Sequence, residues 1–248
     1  MVVLAEPSMP NDIPFNHVSI SPFAYIGEAW ERVKGQYWMF LGVSVVGMLI
    51  AGLVPMAVML GPMMCGIYLC YRQQGRGEPV VFETLFKGFD RFLESFIAAL
   101  LMLAASLLAM VPLVFVLMFS GLFLGFLGAA GASGGSHGME GGAMAMIILL
   151  AIAGFLLIML ASVLISLLFS FTFPLIADRG MKGLDAVKLS WRAAWANIWG
   201  LMGLGLATFC LSLIGLCFCY IGAFLVLPIT FGVHWIAYER VFGLQAVD

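Results

Sequence analysis

The stretch FIAALLMLAASLLAMVPLVFVLMFSGLFLGFL, Phe96–Leu127, runs for thirty-two residues without one charged side chain. A helix rises 1.5 Å per residue, so about 20 such residues span a hydrocarbon core about 30 Å thick. Beyond a Gly/Ala-rich interval at 128–142, a second apolar run extends to about Ala177. Two further blocks share this character, about Trp38–Tyr71 and Ile198–Tyr238. Hydrophobic residues make up 63% of the 248 positions and charged residues 10%, with a mean hydropathy of +1.11. Soluble domains carry about a quarter charged residues, so this chain has too little polar surface for water. Lipid is the solvent that fits, and nucleic acid is excluded as a partner.

Each block reads as a hairpin. The middle one turns within 128–142 and the last near Gly215–Gly222. The first turns about Pro55 and Gly61-Pro62, and its arms of roughly 16 residues reach about 24 Å. It therefore dips in and returns, or its helices begin before Trp38. The eleven basic residues are Arg32, Lys34, Arg72, Arg76, Lys87, Arg91, Arg179, Lys182, Lys188, Arg192 and Arg240. All lie outside the mid-block turns, so each block leaves and returns on one side, which the positive-inside rule makes cytoplasmic. The expectation is an all-α integral membrane bundle with six transmembrane helices in three hairpins and both termini in the cytoplasm. Residues 20–243 form one transmembrane domain with units at about 20–77, 78–180 and 181–243, and 128–142 is an external, mobile loop. Residues 1–19 read as a cytoplasmic tail, because Pro7, Pro10 and Pro14 break the short apolar start and no basic region precedes it.

An amphipathic segment precedes each block. Phe23, Ile26, Trp30, Val33 and Tyr37 share a face before the first, behind Ser21-Pro22 as cap and first helical residue. Leu85, Phe86, Phe89, Phe92, Leu93 and Phe96 do so before the second, opposite Glu83, Lys87, Asp90, Arg91 and Glu94. Leu184, Val187, Trp191, Ala194, Trp195 and Ile198 do so before the third. Large aromatics opposite mixed charge fit helices lying in the headgroup layer. Spacings repeat as well. Trp30 and Trp38 are eight apart, as are Trp191 and Trp199, and Pro62-x-x-x-Gly66 returns as Pro228-x-x-x-Gly232. Two units close on Tyr71-Arg72 and Tyr238-Glu239-Arg240, while the middle unit shares the order of elements but little residue detail. Trp30, Trp38, Trp191, Trp199, Trp235 and Tyr238 are the expected interfacial anchors.

Leu85-Phe86-Lys87-Gly88-Phe89, Phe173-Pro174-Leu175 with Asp178, Ser190-Trp191, and the closing run Pro228 to Tyr238 carry a resemblance. Over residues 20–243 the chain resembles uncharacterised bacterial six-helix integral membrane proteins, known only as domains of unknown function. The resemblance implies the bacterial cytoplasmic (inner) membrane and a six-helix plan, and no activity.

The residues offer little chemistry. Gly134-Gly135-Ser136-His137-Gly138 lacks the lysine and strand–helix context of a phosphate loop. The cysteines show no metal-ligand spacing, and the crossing segments hold no Asp, Glu, Lys or Arg, unlike ion-coupled transporters. No catalytic, cofactor or metal site is expected, and the chain reads as no enzyme. Ser162, Ser166 and Ser170 recur every four residues on the fourth crossing, as a helix-packing or pathway face. The leading reading is a non-catalytic organising or accessory membrane protein, with lipid, other membrane proteins or a second copy as partners. The alternative is a passive channel or carrier for a small neutral or apolar solute, lined by the serines and Thr172. A lipid-modifying enzyme would have only Asp178, Asp185 and His234 to use.

Overall fold

The computed structural model describes residues 15–16, 21–53, 58–131, 137–217 and 221–243. Among them every regular element is helical. In chain order these are α1 (Pro22–Val33), a 3-10 turn (Lys34–Gln36), α2 (Tyr37–Leu53), α3 (Leu60–Gly75) and a 3-10 helix (Phe82–Arg91). Then come α4 (Phe92–Gly131), α5 (His137–Leu168), α6 (Thr172–Arg179), α7 (Gly183–Ala196), α8 (Ile198–Cys217) and α9 (Ile221–Phe242). Five helical stretches are long and apolar enough to cross a membrane: Pro22–Leu53, Phe82–Pro112, Ile148–Arg179, Ile198–Cys217 and Ile221–Phe242. The remaining arm, α3, has 16 residues and rises about 24 Å, short of a full core. Helix does begin before Trp38, since α1, the 3-10 turn and α2 follow one another without a break.

Where the sequence suggests one domain, the chain divides into two compact units, Met1–Met102 with Leu167–Asp248, and Leu103–Ser166. The second unit holds most of α4 and α5. These two helices run 40 and 32 residues and carry apolar side chains all round, among them exposed Leu108, Phe119, Leu149 and Leu156. Both run into the glycine-rich interval, and this corrects the expected loop: 128–131 and 137–142 are helical. The alanines and methionines between the glycines suffice to continue the helices. The expectation of a mobile loop falls for the rest on 132–136, outside the described residues.

The first unit carries the buried core. Hairpin partners α2 and α3, and α8 and α9, pack together, and α3 also touches α6 and α9. The amphipathic segments close a ring around them. The 3-10 helix of the second repeat lies on α3 of the first. In turn α7 of the third lies on α6 of the second, and α1 of the first lies on α9 of the third. Each repeat thus receives the next one's amphipathic segment, and the third receives the first's. Of the tail expected over residues 1–19, residues 1–14 and 17–19 fall outside the described residues, whereas Phe15 and Asn16 lie against the end of α9. There the Asn16 N–H donates to the Val241 carbonyl at 2.9 Å.

Candidate functional site

Small residues make the ring's crossings. On α3, Gly66 stands so close to the 3-10 helix that a Cβ would lie 1.9 Å from the Leu85 carbonyl oxygen. Gly88 returns the contact, since its Cβ would lie 2.0 Å from the Pro62 carbonyl oxygen. The equivalent Gly232 on α9 faces Ala29 of α1, with Cβ positions 3.2 Å apart. At the third crossing Ser190 of α7 donates to the Leu168 carbonyl at 2.7 Å and accepts from the Phe171 N–H at 3.2 Å. Each crossing residue stands just before a large aromatic, as Ala29-Trp30, Gly88-Phe89 and Ser190-Trp191. The middle repeat therefore carries the pattern too. The sequence hides it because glycine and phenylalanine stand where the others have alanine or serine and tryptophan.

This arrangement gives the amphipathic segments two apolar faces, where a single one is expected from periodicity. The inner face is buried: Tyr25, Ala29 and Val33 on α1, Thr84, Leu85 and Gly88 on the 3-10 helix, and Ala186, Leu189, Ser190 and Ala193 on α7, and Val33, Leu85 and Ala194, grouped with the aromatics by periodicity, belong to it. The aromatic face points away from the ring, with Trp30 46%, Phe86 45%, Trp191 51% and Trp195 60% exposed. Phe89, Phe92 and Phe96 are half-buried and stack in a ladder at 6.3 and 5.8 Å. The 3-10 winding of Phe82–Arg91, against an expected α-helix, puts Leu85 and Gly88 on one line at three residues per turn. That line is the seam that meets α3.

A buried polar junction ties the hairpin ends together. The Asp178 carboxylate on α6 lies 2.9 Å from Arg72 Nε on α3. The contact is off the hydrogen-bonding line, so it is ionic rather than directed. The Tyr238 hydroxyl on α9 donates to the other carboxylate oxygen at 2.8 Å. Arg179 donates to the Phe242 carbonyl at 2.7 Å and stacks on its ring, 5.9 Å from the centroid. Around α9, the Tyr71 hydroxyl donates to the Pro228 carbonyl. The Trp235 indole donates to Glu239 at 2.7 Å, and Glu239 pairs with Arg32 of α1 at 2.6 Å. A buried pair of this kind fixes register more than it adds stability, and losing one partner is costly.

The structure separates the residues nominated from sequence. Trp30, Trp38, Trp191 and Trp199 are exposed, the last at 83%. Trp235 and Tyr238 are not surface anchors. Both are fully buried, in an aromatic column with Tyr68 at 6.1 and 5.2 Å, and Glu239 and Asp178 occupy their polar atoms. An aromatic whose N–H or O–H is satisfied inside the protein gains nothing from a headgroup. Ser162 and Ser166 are exposed on α5, whereas Ser170 lies in the turn beyond the end of that helix and is half-buried. Asp178 belongs to the junction, which sequence reasoning missed. Its signal was the charged or aromatic close of each unit, Tyr71-Arg72, Asp178-Arg179 and Tyr238-Glu239.

No family model, curated protein or solved structure matches the chain.

Proposed function

We propose that the chain is a non-catalytic multi-pass protein of the bacterial cytoplasmic membrane that organises or accompanies other membrane components. Its three amphipathic segments form a collar in the cytoplasmic leaflet. The observation that carries this reading is the double-faced build of those segments. Each buries a face with a small residue at its crossing in the ring and turns bulky aromatics outward. Exposed aromatic rings beside charged side chains favour the boundary between headgroups and acyl chains. Cytoplasmic termini and an external 132–136 follow from the placement of all eleven basic residues, and a sixth crossing requires α3 to span as a short helix beside the five long ones. The bacterial location is what the sequence resemblance implies. The partners that fit are lipid, other membrane proteins or a second copy of the chain.

Spin labels test the collar. Labels at Phe86, Trp30 and Trp191 should be shielded from a water-soluble relaxant and reached by oxygen, and labels at Lys87 and Asp90 should show the reverse. Equal accessibility around each segment would remove the in-plane placement. Purification in mild detergent tests the accessory role, for which another membrane protein or a second copy should travel with the chain.

A second reading, a passive pathway for a small neutral solute, draws support from Thr172. Its hydroxyl is buried without a hydrogen-bond partner among the described residues. Flux of glycerol or urea into protein-loaded vesicles separates it from the first, which expects none above empty vesicles.

A further inference from the structure

The ring's crossings are held by different forces. Where the 3-10 helix meets α3, Gly66 and Gly88 press on backbone, with Cβ positions 1.9 and 2.0 Å from carbonyl oxygens. Where α7 meets α6, the Ser190 hydroxyl bonds the backbone at Leu168 and Phe171. Where α1 meets α9, a Cβ on Gly232 would instead meet side-chain atoms of Ala29 and Tyr71, at 3.2 and 3.3 Å. Tyr25, Ala29 and Val33 supply the apolar contact there, and charge orients it. Each helix offers one acid and one base. Arg32 of α1 pairs with Glu239 at 2.6 Å, and Arg240 of α9 pairs with Glu28 at 3.1 Å. Glu28 also holds Arg32 along its own helix at 2.7 Å, so the four side chains form one network.

That network faces water. Arg240 is 55% and Glu28 29% exposed, so dissolved ions reach both. Charges are screened beyond about 3 Å at 1 M salt, against about 10 Å at 0.1 M. A glycine pressed on a carbonyl has no such sensitivity. The base of α1 is tied elsewhere, which makes it a pivot. The Arg32 carbonyl accepts from Gln74 Nε2 at 2.5 Å, and the Gln36 side chain accepts from the Val80 N–H at 3.0 Å. Between these ties Gly35 stands in open space, in the 3-10 turn that joins α1 to α2. The far end of α1 rests on lighter contacts. Pro22 Cγ lies 3.2 Å from the Cβ position of Gly203 on α8. Ahead of it the exposed Asn16 bonds Val241 and Asn197 at 2.9 and 3.4 Å.

We propose that α1 is an electrostatic latch on the ring. The α1–α9 crossing opens about the Lys34–Gln36 turn when its four-charge network is weakened, while the crossing of the 3-10 helix on α3 stays closed. Opening bares the α9 face around Gly232 and frees one end of an amphipathic helix. The latch belongs to the ring and is independent of where the collar lies in the membrane.

Amide hydrogen exchange of the full chain in nanodiscs, read by peptide mass spectrometry, follows each crossing separately. On raising potassium chloride from about 0.1 M to about 1 M, exchange of the α1 amides should quicken by about two- to five-fold for each ion pair weakened. Exchange across Phe82–Arg91 should hold steady. Arg240→Gln should quicken α1 by a similar factor at low salt and shrink its response to added salt. Arg240→Glu should quicken it further, and adding Glu28→Arg should bring it part of the way back, since the new arginine still faces Arg32 along the helix. An α1 indifferent to salt, an equal response from α1 and the 3-10 helix, or no repair by Glu28→Arg overturns the latch. Should the charge variants fail to fold, the salt comparison on the unaltered chain decides alone.

Discussion

Gly66→Ala is the sharpest probe of the ring. The added methyl would lie 1.9 Å from the Leu85 carbonyl oxygen and 2.8 Å from its carbon, both backbone atoms that no rotamer change can move. An ordinary carbon–oxygen contact needs about 3.3 Å, so the 3-10 helix must retreat by about 1.4 Å. That retreat loosens Leu85, which is fully buried. Overpacking of this kind costs about 1–3 kcal/mol, and the loosened leucine pushes toward the upper end. Alanine returns about 0.5–1 kcal/mol of helix preference over glycine. The net expectation is a loss of about 1–2 kcal/mol, read as reversible unfolding in mixed detergent micelles. Two positions calibrate it. At Gly42 on α2 nothing lies within 4 Å, so Gly42→Ala should stabilise by about 0.5–1 kcal/mol. At Gly232 the methyl would meet the Ala29 side chain at 3.2 Å and the Tyr71 ring at 3.3 Å, so strain and helix preference should roughly cancel. If Gly66→Ala proves as stable as Gly42→Ala, the close crossing of α3 and the 3-10 helix is wrong.

Asp178→Ala strands Arg72 and the Tyr238 hydroxyl, and should cost about 3–5 kcal/mol. Arg72→Met combined with Asp178→Leu should recover much of that, measured as a double-mutant cycle in the same micelles. Reporter fusions after Gly77 and Gly183 should score cytoplasmic and one at 131–142 external, and an inversion at any of the three breaks the six-crossing topology. The exposure of Ser166 sets a different expectation from a packed serine face. Ser166→Leu should move stability by no more than about 0.5 kcal/mol, and a clear loss of thermal stability would mean that protein covers that face.

The helical class and the apolar helices long enough to cross a membrane were legible because they rest on composition and length. The paired Pro-x-x-x-Gly motifs mark places where one helix crosses another, with Gly66 and Gly232 at equivalent crossings. The packed face of each amphipathic segment was not legible. Hydrophobic periodicity is dominated by Trp30, Phe86 and Trp191, whereas the closest contacts on the buried side are made by Ala29, Gly88 and Ser190, which hydropathy scarcely registers. Trp235 and Tyr238 misled for a related reason. Composition places aromatics at a membrane boundary, but only tertiary structure reveals that Glu239 and Asp178 already satisfy them. The Arg72–Asp178 contact joins residues 106 positions apart, a separation no local pattern can bridge. The extension of α4 to Gly131 escaped because seven glycines between 128 and 142 read as a turn, although alanine separates several of them.

The ring's closure through α1 and α9 imposes an order on biogenesis. Translation delivers α1 among the first helices and its seat, around Gly232, some two hundred residues later. At about 5–20 residues per second, the ribosome keeps Tyr25, Ala29 and Val33 waiting for roughly 10–40 seconds. Over that interval the nascent chain holds an unclaimed helix face. A ribosome that stalls before α9 leaves that face permanently uncovered. Completion of the last helix is therefore the event that covers the α1 face.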